Sequence, residues 1–255
     1  MAAPVIRACV TTSRSAGPGV VARARSVAEA CSLPLVRRSE SDGYEACLVI
    51  ERHGVHLDMG DDSMRSHPGM GLVRLRRLVR GEEHDPLLDL AGVKAGDTVL
   101  DATFGFGQDA LVFAYGVGNT GRVIALESSP LVLALAFSGM RHWPEPATLV
   151  VPRIDLRLAD AGQFLAAAPS KSVDVVYFDP MFRDPRLAAP DFKLLRAMAD
   201  PSPIRSEDVL NARRVARRLV LFKDAWPGRE IGRLGVRPVE SRRSAEITFG
   251  TLDPL

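Results

Sequence analysis

Cysteine is scarce in this 255-residue chain. The three present, Cys9, Cys31 and Cys47, are an odd number without the close spacing of zinc ligands, so neither a disulfide framework nor a metal site is expected, and they read as buried, reduced thiols. Long apolar runs are missing as well, since none approaches the roughly 18 residues of a membrane span. The opening MAAPVIRACV has no apolar core or cleavage site of a secretory signal, and the expectation is a cytoplasmic protein with no membrane partner. A surplus of one charge is also lacking. With 33 Lys+Arg against 31 Asp+Glu, the net charge is +2, which excludes a surface that grips nucleic acid everywhere and leaves only local patches. What remains, 46% hydrophobic and 25% charged residues, is the composition of a globular chain with a full-sized core.

The first sixty residues read as a strand near 5–10, a turn-rich TTSRSAGPG, a helix through VVARARSVAEAC, and two strand-like runs, ACLVIER and VHLDM. The polar, turn-forming DMGDDSMRSHPGM that follows is read as a boundary, which gives a small α/β appendage over 1–62 and a main domain over 63–255. Residues 70–80 predict a basic amphipathic helix, with Leu72, Leu75 and Val79 on one face and Arg74, Arg77 and Arg80 on another. From residue 97 onward, apolar runs of strand length alternate with helical segments: TVLDAT, RVIALES, IDLRLAD, VDVVYFD and LVLFKD are the strands, and SEDVLNARRVARR is a long helix before the last of them. Near-continuous apolar strands with crossover helices imply an α/β fold, a Rossmann-like, seven-stranded, mostly parallel sheet with helices on both faces. The tail, GVRPVES and AEITFGTL, offers an antiparallel pair to close its edge.

Ligands of such sheets sit beyond the carboxyl ends of the strands, so polar residues that directly follow apolar runs are the candidates. Four acids do so: Asp101, Glu127, Asp160 and Asp179. The first strand enters Asp101-Ala-Thr103-Phe-Gly105-Phe-Gly107, where the glycines let the backbone turn and approach a ligand. Glu127 ends the next strand, 20 residues beyond Gly107, where a carboxylate can accept both hydroxyl hydrogens of a ribose. A dinucleotide fits that pattern in part. Asp101, however, sets negative charge where a pyrophosphate would lie, which favours the cationic S-adenosylmethionine, with Asp160 placed to accept from the adenine amino group. The competing reading is that these acids only cap helix N-termini, where each carboxylate gains about 0.3–1 kcal/mol.

The fourth strand ends in Asp179-Pro180-Met181-Phe182, similar to the Asp/Asn-Pro-Pro-aromatic motif of methyltransferases that modify exocyclic amines of nucleobases. There a carboxylate and a backbone carbonyl take the two N–H hydrogens of the amine, and the aromatic ring stacks on an unpaired base. Taken together, DATFGFGQDA, LESSP, VDVVYFDPMF and RRLVLFKD resemble the small-subunit ribosomal RNA guanine methyltransferase J family over residues 67–224. The resemblance implies methylation of a guanine amine of ribosomal RNA, with Asp179, Pro180 and Phe182 catalytic. It also implies that the cofactor is S-adenosylmethionine, contacted by Gln108, Asp109, Glu127, Ser128, Asp160, Ala161 and Asp179 beside the loop residues Asp101, Thr103, Gly105 and Gly107. Gln108 and Ser128 stand where the family has arginine. DNA, protein or a small molecule as acceptor, and a non-catalytic RNA-binding factor, are the alternatives. Substrate contacts are expected of His67, Arg74, Arg77, Arg183 and Lys223, all near the ligand edge or on the basic helix. Arg213, Arg214, Arg217 and Arg218 form an i, i+4 cluster on the long helix, in the pattern of a solvent face or a phosphate-binding one.

Overall fold

The computed structural model describes residues 6–82, 84–180, 194, 197–199, 202–239 and 246–255. Met181, Phe182 and Arg183 lie outside the described residues.

The chain opens with strand β1 (Ala8–Thr12), helix α1 (Pro18–Ala30) and the strands β2 (Ala46–Glu51), β3 (Gly54–Met59) and β4 (Asp62–Arg65). These strands form a sheet in the order β1-β2-β3-β4, with β1 parallel to β2 and the remainder an antiparallel meander. β1 begins three residues later than the sequence suggested. The DDSMR segment, read as part of a boundary, is a strand: its apolar Met64 pairs with Leu57 and is buried, while Asp62, Ser63 and Arg65 are exposed. Residues 62 and 63, where the sequence places the junction of the two units, are the first two of β4.

The second sheet follows α2 (Gly69–Arg80) and α3 (Pro86–Ala91). Its elements are β5 (Thr98–Asp101), α4 (Gln108–Gly116), β6 (Arg122–Glu127), α5 (Pro130–Gly139), α6 (Ala147–Val150), β7 (Ile154–Leu158), α7 (Ala161–Ala167), β8 (Val173–Phe178), α8 (Ser206–Val215), β9 (Ala216–Ala225), α9 (Arg229–Arg233), β10 (Arg237–Pro238) and β11 (Ile247–Leu252). The seven strands lie in the order β10-β11-β9-β8-β5-β6-β7. β5 to β9 are parallel, and the tail adds the expected antiparallel edge. Alternate residues of each central strand face opposite layers. Val99, Val123, Val175 and Leu221 join a core with α2, α3, α4 and α6, while Leu100, Ile124, Val176 and Phe222 join another with α7, α8 and α9. That burial on both faces explains why these strands are continuously apolar.

A third core joins the two sheets. Leu131 to Leu135 of α5 pack with Val10, Leu48, Ile50, Leu57, Val27 and Cys31 of the first unit. Helix α5 has eight of its ten residues buried and not one charged side chain, as expected of a helix covered on all sides.

Two readings of the sequence change here. In α2 the buried side is Leu72 and Leu75, with Leu78 packed against the core, while Val79 is exposed. The long helix before β9 stops at Val215, so Arg217 and Arg218 are strand residues. Arg217 pairs with Asp174 at 3.3 Å and Arg218 with Asp97 at 2.6 Å. Arg213 and Arg214 donate to backbone carbonyls of Asp253, Leu165 and Ala168. The four arginines therefore tie elements together instead of forming one basic face.

Candidate active site

β5, β6 and β8 end side by side, and their carboxyl ends bring Asp101, Glu127 and Asp179 to one edge of the sheet. Between β5 and α4 the chain makes the tight turn predicted by its glycines. Gly107 has φ +72°, and a Cβ there would sit 2.5 Å from the buried ring of Phe104, so only glycine fits. Gly105, at φ +57°, is different: a Cβ placed on it would meet nothing nearer than the Thr103 carbonyl at 4.0 Å. The backbone of residue 105 is thus an open floor at the strand end.

Glu127 is buried at the rim of this floor. One carboxylate oxygen accepts the Gly105 N–H at 3.1 Å, and the other accepts the Ser129 N–H at 2.8 Å. The acid therefore fixes the loop that it faces, and Ser128 lies half-buried beside it. Asp160, at the end of β7, is exposed and caps α7 by accepting the Gln163 N–H at 2.8 Å, with Ala161 as first residue of that helix. For this one acid of the four, the capping role is part of its geometry.

Asp101 is fully enclosed, with one oxygen accepting the Thr103 N–H at 3.1 Å. Burial pushes its carboxyl up to about 8, which works against the negative charge that the sequence reading placed there. Asp179 follows β8, and its backbone N–H donates to the Thr103 hydroxyl at 2.6 Å. Its carboxyl is pushed up to about 6 by burial and by the nearby Asp109 carboxylate, against the pull of Lys223. Pro180, next in the chain, is half-buried.

Lys223 of β9 stands between carboxylates. Its ammonium lies 2.7 Å from Asp179 Oδ2 and 2.8 Å from Asp109 Oδ2. Asp109, in the first turn of α4, also accepts the buried Tyr177 hydroxyl at 2.7 Å and pairs with Arg74. Burial alone would raise the Asp109 pKa, but Lys223 and Arg74 hold it well below the usual carboxylate range. Arg74 in turn grips Asp85 through two bonds of 2.8 Å. Arg74 and Lys223, expected on the substrate side, are thus engaged inward, whereas Arg77 and His67 are exposed. His67 Nδ1 accepts the Gly69 N–H at 2.9 Å at the start of α2. Gln108 packs directly under that helix: a Cβ on Gly71 would lie 2.6 Å from its carbonyl oxygen.

Sequence reasoning missed Tyr177, Asp85 and the pairing of Arg74 with Asp109. Tyr177 had a legible signal, being a polar tip in the apolar run 175–178 two residues before Asp179. The residues present fit a cationic adenosyl cofactor. The loop 101–109 offers an open glycine floor and no Lys or Arg that would meet a pyrophosphate, and Glu127 of β6 adds a carboxylate at its rim.

The comparisons with known proteins agree with this chemistry. A family model described as "Putative SAM-dependent methyltransferase" matches residues 35–200. Protein YpiP of Bacillus subtilis is 35% identical over 189 residues, 73% of each chain. The ribosomal RNA small subunit methyltransferase J of Laribacter hongkongensis is 40% identical over 131 residues, which cover 50% of this chain and 46% of that one. Among solved structures, the SAM-dependent methyltransferase NGO1261 from Neisseria gonorrhoeae superimposes over 96% of this chain and 95% of its own, with a TM-score of 0.64 at 22% identity, a likeness of fold. The Rossmann-like sheet, the glycine floor with its rim carboxylate and a match over residues 35–200 lead to one conclusion: this chain belongs to the S-adenosylmethionine-dependent methyltransferase family, an enzyme whose cofactor is S-adenosylmethionine.

Proposed function

We propose that the methyl acceptor is the exocyclic amine of a base in RNA, that the RNA is ribosomal and met in the cytoplasm, and that the atom is guanine N2. The observation that carries this reading is Asp179-Pro180 at the carboxyl end of β8, beside the glycine floor, in the order of the amine-methylating motif. Support for ribosomal RNA comes from the relatives named ribosomal RNA small subunit methyltransferase J.

An exocyclic amine is a poor nucleophile because its lone pair is delocalised into the ring. The Asp179 carboxylate and the Pro180 carbonyl accept its two hydrogens, localise the lone pair on nitrogen and hold it in line with the methyl group. A hydrogen bond to a charged group contributes about 1.5–3 kcal/mol, and alignment adds to it. On transfer the methyl–sulfur bond would break as the N–C bond forms, leaving a neutral thioether, and the Asp179 carboxylate would take the proton that the amine sheds. Phe182 supplies the stacking ring in this scheme. Cofactor contacts are assigned to Asp101, Thr103, Gly105, Gly107, Gln108, Glu127, Ser128, Asp160 and Ala161, with Asp109 acting from behind through Lys223. The cofactor supplies the electrophilic methyl group.

Mapping modified guanines in ribosomal RNA from cells with and without this protein tests the acceptor: one guanine should lose N2 methylation. Replacement of Asp179 by Ala should abolish transfer while cofactor binding by calorimetry persists. Wild-type turnover in that variant on authentic RNA refutes the role of Asp179. Transfer to DNA, protein or a small molecule but not RNA refutes the acceptor.

A further inference from the structure

Asp179 is the last member of a partly buried chain of charges that begins 94 residues earlier in the sequence, at Asp85. Asp85, the N-cap of α3, binds Arg74 of α2; Arg74 binds Asp109 of α4; Asp109 binds Lys223 of β9; and Lys223 binds Asp179 beyond β8. Three carboxylates are thus set against two cations, and the unmatched charge belongs to the end that faces the site. The Lys223 side chain is only 16% exposed, so its ammonium is not offered to a solvent-side phosphate.

We propose that Lys223 is a positioning residue for methyl transfer: by holding Oδ2 of Asp179 it fixes the carboxylate's rotation and keeps Oδ1 turned toward the incoming amine. The proposal rests on the reading of Asp179 given above. Three features support it. The backbone at Asp179 is independently pinned by Thr103, so the side-chain torsion is what remains to be set. Lys223 is itself held by Asp109, whose other donors, Tyr177 and Arg74, leave it no freedom to swing away. An ammonium at 2.7 Å also opposes the burial that would protonate Asp179. Among the described residues, the titratable groups that face Asp179 are Asp101 from β5, Asp109 from α4, Tyr177 from β8 and Lys223 from β9, with Arg74 of α2 reaching it through Asp109.

The test is a pH–rate profile of methyl transfer to unmodified ribosomal RNA from cells lacking the protein, with cofactor affinity measured in parallel by calorimetry. Lys223→Met should bind S-adenosylmethionine normally yet lose roughly ten- to hundredfold in kcat at pH 7. Its acidic limb should move up by about one unit or more, because Asp179 loses the cation that favours its charged form. Lys223→Arg should recover most of the rate. A wild-type kcat with an unmoved limb in Lys223→Met overturns the proposal, as does a lowered melting temperature with turnover intact. If that variant does not fold, Lys223→Gln combined with Asp109→Asn removes the cation together with one of its carboxylates. The pair should still lose about tenfold or more in kcat, and wild-type turnover in it is equally fatal. Asp179→Asn separates the two readings. Should it keep turnover, the assignment of Asp179 fails; should it be dead while Lys223→Met is normal, only the role of Lys223 fails.

Discussion

Burial decides what charge each acid of the site carries. Asp101 and Asp179 have carboxyls raised to about 8 and about 6, so between pH 4 and 8 the folded chain holds protons that the unfolded chain has released. The contribution of these two groups to the stability of the free protein therefore falls as pH rises through that window. Asp109 has the opposite sign: its contribution is present above the ordinary carboxylate range and is lost as pH falls below it. Asp101→Asn should flatten most of the decline in melting temperature between pH 5.5 and 8.5, measured without cofactor; an unchanged slope would show that Asp101 is ionised throughout. The positions of Asp101 and Asp179 were legible in the sequence, because strand ends follow apolar runs, whereas Asp109 came only with the family resemblance. Their protonation was not, since it depends on neighbours such as Lys223, which is 114 positions from Asp109. For the same reason Arg74 looked like part of a basic stripe. Only the fold shows that Asp85 and Asp109 converge on it.

Elements meet closely where small residues allow it. The start of α2 rests on the start of α4, with Gly71 over the backbone of Gln108; an added methyl would overlap the carbonyl at 2.6 Å, and backbone cannot move aside as a side chain can. Gly71→Ala should cost about 1–3 kcal/mol, read by denaturant unfolding, and should weaken cofactor binding because it displaces the turn at Gly107. A loss below a few tenths of a kcal/mol would mean that α2 shifts freely. The glycine loop, the helix behind it and the parallel strands were readable because periodicity and turn chemistry agree there. Two boundaries were not. ARRVARR continues a helical pattern through residue 218, yet the chain enters β9 at Ala216, where pairing with β8 and burial of Ala216 outweigh local propensity. DDSMR carries too few apolar residues to register as a strand, and it exists because β3 offers it an edge.

Across the whole molecule, the shared core around α5 makes the two sheets depend on one another. Leu131 to Leu135 contact the first unit on one side, while the helix lies against β6 and β7 on the other. Scanning calorimetry of the full chain should give a single transition with equal calorimetric and van't Hoff enthalpies; two resolved transitions would show that the sheet β1-β2-β3-β4 melts on its own. The family match over residues 35–200 takes in β2, β3 and β4 as well as β5 to β8 of the larger sheet. The sequence could not show this, because α5 reads only as an apolar helix and nothing in its pattern says what lies on each side. The same helix imposes an order on birth at the ribosome. The first sheet is complete at Arg65, but its apolar face waits for a cover that ends at Gly139, 74 residues later. At about 5–20 residues per second the nascent chain presents that face covered by α1 but not by α5 for roughly 4–15 s, long enough for a chaperone to reach it before the enzyme can close upon itself.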